Sequence, residues 1–220
     1  MFTGIIESFG TIKRVESAGE GKILQIATDL ELSDTRIGDS IAVNGACLTA
    51  VRLGKNDFSV DVAPETISRT TLKTASAGTR VNIERAMRLS ARIDGHLVSG
   101  HIDGTGIVKS LTSRSNALIL EVSVDPDLAR DMIEKGSVAL EGISLTLNRC
   151  WDTGFEVSII PHTASVTTIG LKRIGDRVNI ETDMLGKYVR KILTGNVLKN
   201  RMGKPDQGIS METLAKNGFL

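Results

Sequence analysis

Apolar and polar residues alternate along much of this chain, in short runs separated by Gly, Asn, Asp and Ser. The segments "KILQIAT" (22–28), "SIAVNGACLTAVRL" (40–53), "DFSVDVA" (57–63) and "TRVNIER" (79–85) are rich in Val, Ile and Thr. Such residues suit a pleated, half-buried surface, and the alternation predicts strands. The same reading applies to "ALILEVSV" (117–124), "SVALEGISLTLNRC" (137–150), "FEVSII" (155–160) and "DRVNIE" (176–181). Helical periodicity is confined to a few places. In "DPDLARDMIEKG" (125–136), Asp125 can cap, Pro126 suits a first turn, and Leu128, Met132 and Ile133 form a stripe ending at Gly136. "TDLELSDTRIGD" (28–39) is its weaker counterpart. Near the end, "MLGKYVRKILTGNVL" (184–198) places Leu185, Tyr188, Val189, Ile192 and Leu193 on one side of a predicted amphipathic helix, interrupted by Gly195. "GKPDQG" (203–208) reads as a joint before a short terminal segment.

The strand pattern occurs twice. Sliding residues 40–87 onto 137–184 needs no gap and gives 20 identities in 48 positions, against roughly 3 expected for unrelated sequences. "NGACLT" (44–49) returns as "EGISLT" (141–146), "PETISRTT" (64–71) as "PHTASVTT" (161–168), and "RVNIE" (80–84) unchanged as 177–181. "FTGIIESFGTIK" (2–13) aligns with "VSGHIDGTGIVK" (98–109). The chain therefore divides into halves at 1–97 and 98–186, followed by a tail at 187–220. Five or six short strands in about 90 residues suit a small closed barrel in each half.

Composition narrows the function. With 27 basic and 26 acidic residues mixed along 220 positions, the net charge is +1, and aromatic residues make up 3%. That leaves neither a field for phosphate backbones nor platforms for nucleobases, so no nucleic-acid partner is expected. No apolar stretch approaches the roughly 20 residues of a membrane span. "MFTGIIESFG" has no basic segment followed by a long apolar run, so neither a signal peptide nor a membrane partner is expected. Cys47 and Cys150 read as free thiols of a cytoplasmic protein.

The duplication sorts the candidate residues. Gly45/Gly142, Thr49/Thr146, Pro64/Pro161, Thr66/Thr163 and the "RVNIE" run are kept in both copies. Their glycines and prolines read as turn-makers, and the matched hydroxyls can also line equivalent pockets. Five positions differ in chemistry: Cys47 against Ser144, Ile5 against His101, Glu65 against His162, Gly38 against Lys135, and Ala86 against Asp183. Two similar cavities of unequal chemistry follow, fit to bind two copies of one molecule and treat them differently. His96 and His101 sit five apart, which on a strand turns them to opposite faces. No metal site is expected, and there is no Walker A, Rossmann, C-x-x-C or G-x-S-x-G motif.

"MFTGIIES", "NGACLTAV", "GHLVSGHID", "GISLTL" and "IIPHT", in this order and on this duplication, resemble the riboflavin synthase family over residues 1–195. The resemblance implies an all-β fold of two homologous six-stranded Greek-key β-barrels in tandem plus a C-terminal α-helix. It also implies a homotrimer joined through that helix, with active sites between the N-terminal barrel of one subunit and the C-terminal barrel of its neighbour. The implied reaction is a cofactor-free dismutation of two 6,7-dimethyl-8-ribityllumazines, giving riboflavin and 5-amino-6-ribitylamino-uracil.

Substrate contacts implied for the N-terminal barrel are Gly4, Ile5, Ile6, Cys47, Leu48 and Thr49, with the run Asp61, Val62, Ala63, Pro64, Glu65 and Thr66. For the second they are Gly100, His101, Ile102, Lys135, Ser144, Leu145 and Thr146, with Ser158, Ile159, Ile160, Pro161, His162 and Thr163. Where the family often carries Glu, this chain has His162, which is expected to contact ligand through its backbone or not at all. His101, assisted by Ser40, is assigned the proton transfer at the lumazine C7 methyl, ahead of His96. Cys47, or a water held by Thr146, is assigned to the acceptor molecule. Asp183 is expected to orient a neighbouring group, and Phe2 to hold the N-terminal segment over the pocket. Two other readings stand beside this one. A lumazine-binding antenna protein would bind without chemistry, and a flavin-dependent reductase would need an added nucleotide-binding domain.

Overall fold

The computed structural model describes residues 1–194 and residue 215. Twelve strands form two closed barrels. The first contains β1 (Ser8–Ala18), β2 (Gly21–Thr28), β3 (Ser40–Val43), β4 (Ala46–Leu53), β5 (Asp57–Val62) and β6 (Arg80–Arg85). The second contains β7 (Gly104–Arg114), β8 (Ala117–Ser123), β9 (Ser137–Leu140), β10 (Ile143–Trp151), β11 (Gly154–Ile159) and β12 (Arg177–Thr182). Around each barrel the neighbours run β1-β2-β5-β4-β3-β6 and β7-β8-β11-β10-β9-β12, the same Greek-key order twice. The register breaks also correspond, between Ile12 and Arg14 as between Val108 and Ser110, and between Ala50 and Arg52 as between Leu147 and Arg149. Such bulges add the local bend and twist that closing a small barrel demands.

Inward residues fill each barrel. Ile12, Leu24, Ile26, Phe58, Val60, Val81 and Ile83 pack one interior, and Val108, Leu120, Val122, Phe155, Val157, Val178 and Ile180 the other. Neither interior is a ligand cavity.

The last strand of each barrel is buried on both faces. In β6, Val81 and Ile83 point inward, while Asn82 and Glu84 point into the contact between the barrels and are also buried. Asn179 and Glu181 repeat this in β12. Each Asn ties the barrels together across a pseudo-twofold relation. Asn82 Nδ2 donates to Glu141 O and Asn179 Nδ2 to Asn44 O, both at 2.9 Å. Their Oδ1 atoms accept from the backbone N–H groups of Thr168 and Thr71, both at 2.7 Å. This network explains why "RVNIE" is identical in the two halves.

The hairpin turns of "NG" and "EG" meet on the same pseudo-axis. Asn44 and Gly45 have φ of 48° and 82°, Glu141 and Gly142 51° and 82°, the left-handed pairs that a two-residue hairpin requires. A Cβ on Gly45 would lie 2.8 Å from Gly142 N, so the turns approach to backbone contact. Asn44 Oδ1 accepts from Asn82 N at 2.7 Å, and Glu141 Oε1 accepts from Asn179 N at 2.6 Å. Replacing Asn by Glu at a fully buried position introduces a carboxylate, and Lys172 answers it at 2.9 Å. The residue aligned with Lys172 in the first half is Ala75.

Glu84 and Glu181 anchor the segments that lead into the two halves. Glu84 accepts from Thr3 N, Thr3 Oγ1 and Gly4 N at 2.6, 2.7 and 3.0 Å. Glu181 accepts from Ser99 N, Ser99 Oγ and Gly100 N at 2.6, 2.7 and 2.9 Å. The two segments also pair with each other, through reciprocal backbone bonds between Phe2 and Val98.

The helix expected over 125–136 is shorter than its stripe. Asp125 caps it through Asp127 N and Pro126 opens it, but α2 covers only Pro126–Ala129. Beyond it the chain is recruited to β10, with Lys135 N bonded to Leu147 O and Leu147 N to Gly136 O. Lys135 turns left-handed at φ 65°, and Ile133 is left 70% exposed. Residues 28–39 make turns without a helix. Short helices α1 (Pro64–Arg69) and α3 (Pro161–Val166) follow β5 and β11. Residues 1–184 form one compact unit, so the halves of the repeat are knitted rather than merely linked. In the second unit, α4 (Met184–Thr194) carries exposed Tyr188, Val189, Ile192 and Leu193. The interruption at Gly195, the joint at 203–208 and the terminal segment lie outside the described residues.

Lys172→Met would leave the Glu141 carboxylate buried without its cation, a loss of about 3–5 kcal/mol of stability at neutral pH. Burial already raises the Glu141 pKa, with Lys172 opposing. A raised carboxylate pKa favours the folded state most below the unfolded value, and this contribution is lost as pH rises through the folded one. The Lys172→Met penalty should therefore be smallest in acid and grow toward neutrality, as read from urea unfolding at several pH values. Glu141→Asn with Lys172→Ala rewrites this turn as its counterpart and should remain within about 1 kcal/mol of the parent.

Glu181→Gln should loosen one lead-in segment alone. Hydrogen exchange at Ser99 and Gly100 is expected to accelerate roughly 10–100-fold while Thr3 and Gly4 stay protected, with the converse for Glu84→Gln. Loosening of both segments by either change would contradict independent anchoring.

Candidate functional site

The outward face of each barrel, beside its short helix, carries the residues that the repeat singled out. In the first barrel, Ser40 pairs with Thr49 and Thr49 with Asp61, so three polar side chains form a row across β3, β4 and β5. Cys47 lies two residues along the same face and is half-buried, while Leu48 between them points into the core. In the second barrel, Ser144 and Thr146 occupy the places of Cys47 and Thr49, with Ser137 opposite Thr146. α1 and α3 bring Pro64, Glu65 and Thr66, and Pro161, His162 and Thr163, to the ends of β5 and β11. Glu65 is exposed and paired with Arg69 at 3.3 Å, and His162 is exposed. Lys135 stands where Gly38 does, and both residues are left-handed.

The lead-in segments are exchanged between the barrels. Cys47 N donates to Gly100 O, and Ser144 N donates to Gly4 O, both at 2.8 Å. A Cβ on Gly100 would come within 2.5 Å of Cys47 Cβ, and one on Gly4 within 2.7 Å of Ser144 Cβ. Both glycines also have positive φ, 83° and 77°, so the site demands glycine twice over. Ile6 packs against the second core and Ile102 against the first. The sequence reading grouped Gly4, Ile5 and Ile6 with Cys47, and Gly100, His101 and Ile102 with Ser144. The observed pairing is crossed. Chain order misleads here because the segments swap over before each reaches its barrel.

Other expected contacts shift for reasons of burial. Phe2, expected to hold the N-terminal segment over the pocket, is itself wholly buried in the seam between the halves with Ala42, Val98 and Ala139. Val62 and Ile159 are core residues whose backbone alone is available. His101 is exposed, its backbone N–H donating to Ser99 Oγ at 3.1 Å. His96, read as the lesser of the two histidines, is the one placed against an expected site residue, Ser144. Its Nδ1 lies 2.7 Å from Ser144 Oγ. Burial lowers the His96 pKa, and the nearby Asp183 charge opposes this. Burial raises the Glu84 pKa, partly offset by its hydrogen bonds from Thr3 and Gly4.

A cavity of about 630 Å³ adjoins these elements, with Thr3, Ile5, Asp39, Ser40, Glu84 and Arg85 on its wall. It gathers Ser40 with Ile5, while Cys47 and His101 are not on its wall. Glu84, Glu181 and His96 are the residues that sequence reasoning passed over. For the glutamates a signal was available, since both lie in the unchanged "RVNIE" run and the hydroxyl-Gly pair Thr3–Gly4 returns as Ser99–Gly100. Among the described residues, no group of three or more His, Cys, Asp and Glu is placed to hold a metal, and no helix is long and apolar enough to cross a membrane.

The lumazine binding domain family matches residues 3–86 and again 99–183, one match for each barrel. The chain is 44% identical to the riboflavin synthase of Bacillus subtilis (strain 168) over 219 residues, covering 100% of both chains. It is 43% identical to that of Actinobacillus pleuropneumoniae, again over 100% of both. With the Mycobacterium bovis riboflavin synthase it shares 40% identity over 88% of this chain and 98% of that one. Among solved structures, LumP complexed with 6,7-dimethyl-8-(1'-D-ribityl) lumazine superposes with a TM-score of 0.75, and LumP complexed with riboflavin with 0.77. Each is 23% identical and covers 83% of this chain and 99% of its own, a likeness of fold. Two barrels matched one by one, and relatives that align from end to end, lead to one assignment: the chain belongs to the riboflavin synthase family, built on a tandem pair of lumazine binding domains.

Proposed function

We propose that this chain is a riboflavin synthase, a transferase that dismutates two molecules of 6,7-dimethyl-8-ribityllumazine. One gives up a four-carbon unit and leaves as 5-amino-6-ribitylamino-uracil, and the other gains it and becomes riboflavin. The observation that carries this reading is that both outward faces are furnished, alike in plan and unequal in chemistry. Thr49 and Thr146 repeat, whereas Cys47 faces Ser144, Ile5 faces His101 and Gly38 faces Lys135. A protein that merely stored one chromophore has no use for the second face.

The four-carbon transfer needs no outside oxidant, because what one lumazine loses the other gains. The chain's share of the work is binding, alignment and proton movement. Aligning two bound molecules contributes on the order of 7–11 kcal/mol. The C7 methyl of the donor loses a proton readily, as it is conjugated to an electron-poor ring. An imidazole suits that step, and exposed His101 is free to approach a bound molecule. Cys47 on β4, or a water held by Thr146 on β10, addresses the acceptor, and Ser40 extends the polar row beside Thr49. Asp183 acts near His96.

The donor and acceptor faces meet when chains associate. The apolar residues of α4, among them Tyr188, Val189, Ile192 and Leu193, supply the contact for a homotrimer of a cytoplasmic enzyme. Residues 1–97 and 98–186 serve as the two binding halves, and 187–220 as the assembly segment.

Incubating the purified protein with the dimethyl-ribityllumazine should produce the riboflavin absorbance without added cofactor. Stoichiometric binding without turnover would instead mark a chromophore carrier. Truncation after Thr182 should give monomers in sedimentation, and a trimer surviving that cut would take assembly away from the helix.

A further inference from the structure

Ser144 is held by chain segments from outside its own barrel. Its N–H donates to Gly4 O at 2.8 Å, and its Oγ lies 2.7 Å from His96 Nδ1. Gly95 passes so close that a Cβ there would sit 2.8 Å from Ser144 Cβ. Cys47, the aligned residue of the first barrel, has the matching backbone bond, to Gly100 O. No side chain among the described residues bonds its thiol in the way His96 bonds the serine.

His96 is itself fixed. Its backbone N–H donates to Thr3 O at 3.1 Å, and its Nε2 is enclosed without a hydrogen-bond partner among the described residues. The ring is therefore committed to Ser144 through Nδ1 alone. A serine hydroxyl on its own rotates among staggered positions and presents its proton and lone pairs in several directions. Bonded to an imidazole whose own Nε2 is enclosed, it is directed to one.

We infer that His96 is a positioning residue for the reaction: it fixes the Ser144 hydroxyl in the second pocket, giving that pocket an oriented oxygen where the first has an untethered thiol. The inference rests on the reading of this chain as a riboflavin synthase. It adds a second source of inequality to the pockets. The exchange of Cys for Ser changes the atom, and His96 changes how far the atom can turn.

The test uses the geometry of amide side chains. In His96→Asn the amide reaches the place of Nδ1, whereas in His96→Gln it reaches the place of Nε2 and leaves Ser144 unbonded. The full-length parent, both variants, Ser144→Ala and Ser144→Ala/His96→Gln would be compared for kcat and KM with the dimethyl-ribityllumazine. Thermal unfolding would be followed in parallel. His96→Gln is expected to lower kcat about 10–100-fold, with KM within about threefold of the parent. His96→Asn should recover most of that loss, and His96→Gln should cost nothing further once Ser144 is Ala. Equal losses in the Asn and Gln variants, no loss in Gln, or an undiminished Gln effect without the serine would overturn the inference. A parent that does not turn over would defeat the functional reading separately. Riboflavin affinity of the same five proteins would then decide the positioning role, with the same ordering expected.

Discussion

A carboxylate withdrawn from water must recover its lost solvation from fixed hydrogen-bond donors. Glu84 and Glu181 recover it from the N–H groups and hydroxyls of Thr3–Gly4 and Ser99–Gly100, about eighty residues away in the chain. Everything at the candidate site depends on these two anchors. They hold the lead-in segments against the last strands, which lets Gly4 and Gly100 present their carbonyls to Ser144 and Cys47 of the opposite barrels. Beside them Asn82 and Asn179 close the pseudo-twofold contact. A single outward face, built from the second and fourth residues of "VNIE", thus supplies both the seam and the pocket supports.

The fold was legible because its causes are local. Alternation with Val, Ile and Thr marks strands, left-handed Asn-Gly marks a hairpin, and a repeat without gaps says that whatever closes once closes twice. The helix at 125–136 is overestimated for a physical reason: its apolar stripe is real, but the chain leaves the helix after a single turn and residues 135–136 pair with β10. The site was legible in residue type and much less so in grouping. Periodicity cannot reveal that residues 2–6 and 98–102 trade barrels, because the bonds that decide it join residues far apart in the chain. Strand geometry bears only on His96 and His101 as a metal pair; His96 ranks second because the resemblance points to His101, and its contact with Ser144 joins residues 48 apart.

The two copies have also diverged in step with their surroundings. Where Asn44 became Glu141, Ala75 became Lys172, so a new buried charge acquired its counter-charge on a neighbouring loop. Hydrogen-bond geometry at the turn survives this change, since Oε1 of the glutamate does for Asn179 what Oδ1 of the asparagine does for Asn82. Divergence at the seam therefore preserved shape, whereas at Cys47/Ser144 and Ile5/His101 it altered chemistry. The first kind of change keeps the halves complementary, and the second makes their difference useful.

The crossing of the lead-in segments has a consequence for how such a duplicated chain can change over time. Each half wears part of the other as its lid, so neither copy is a spare. A change that spoils the segment of one half removes a backbone contact from the barrel of its sibling, while its own strands remain sound. Redundancy, the usual licence that duplication grants, is cancelled by this interleaving. The repeat is bound to persist as a pair, free to become unequal but not free to be reduced to one.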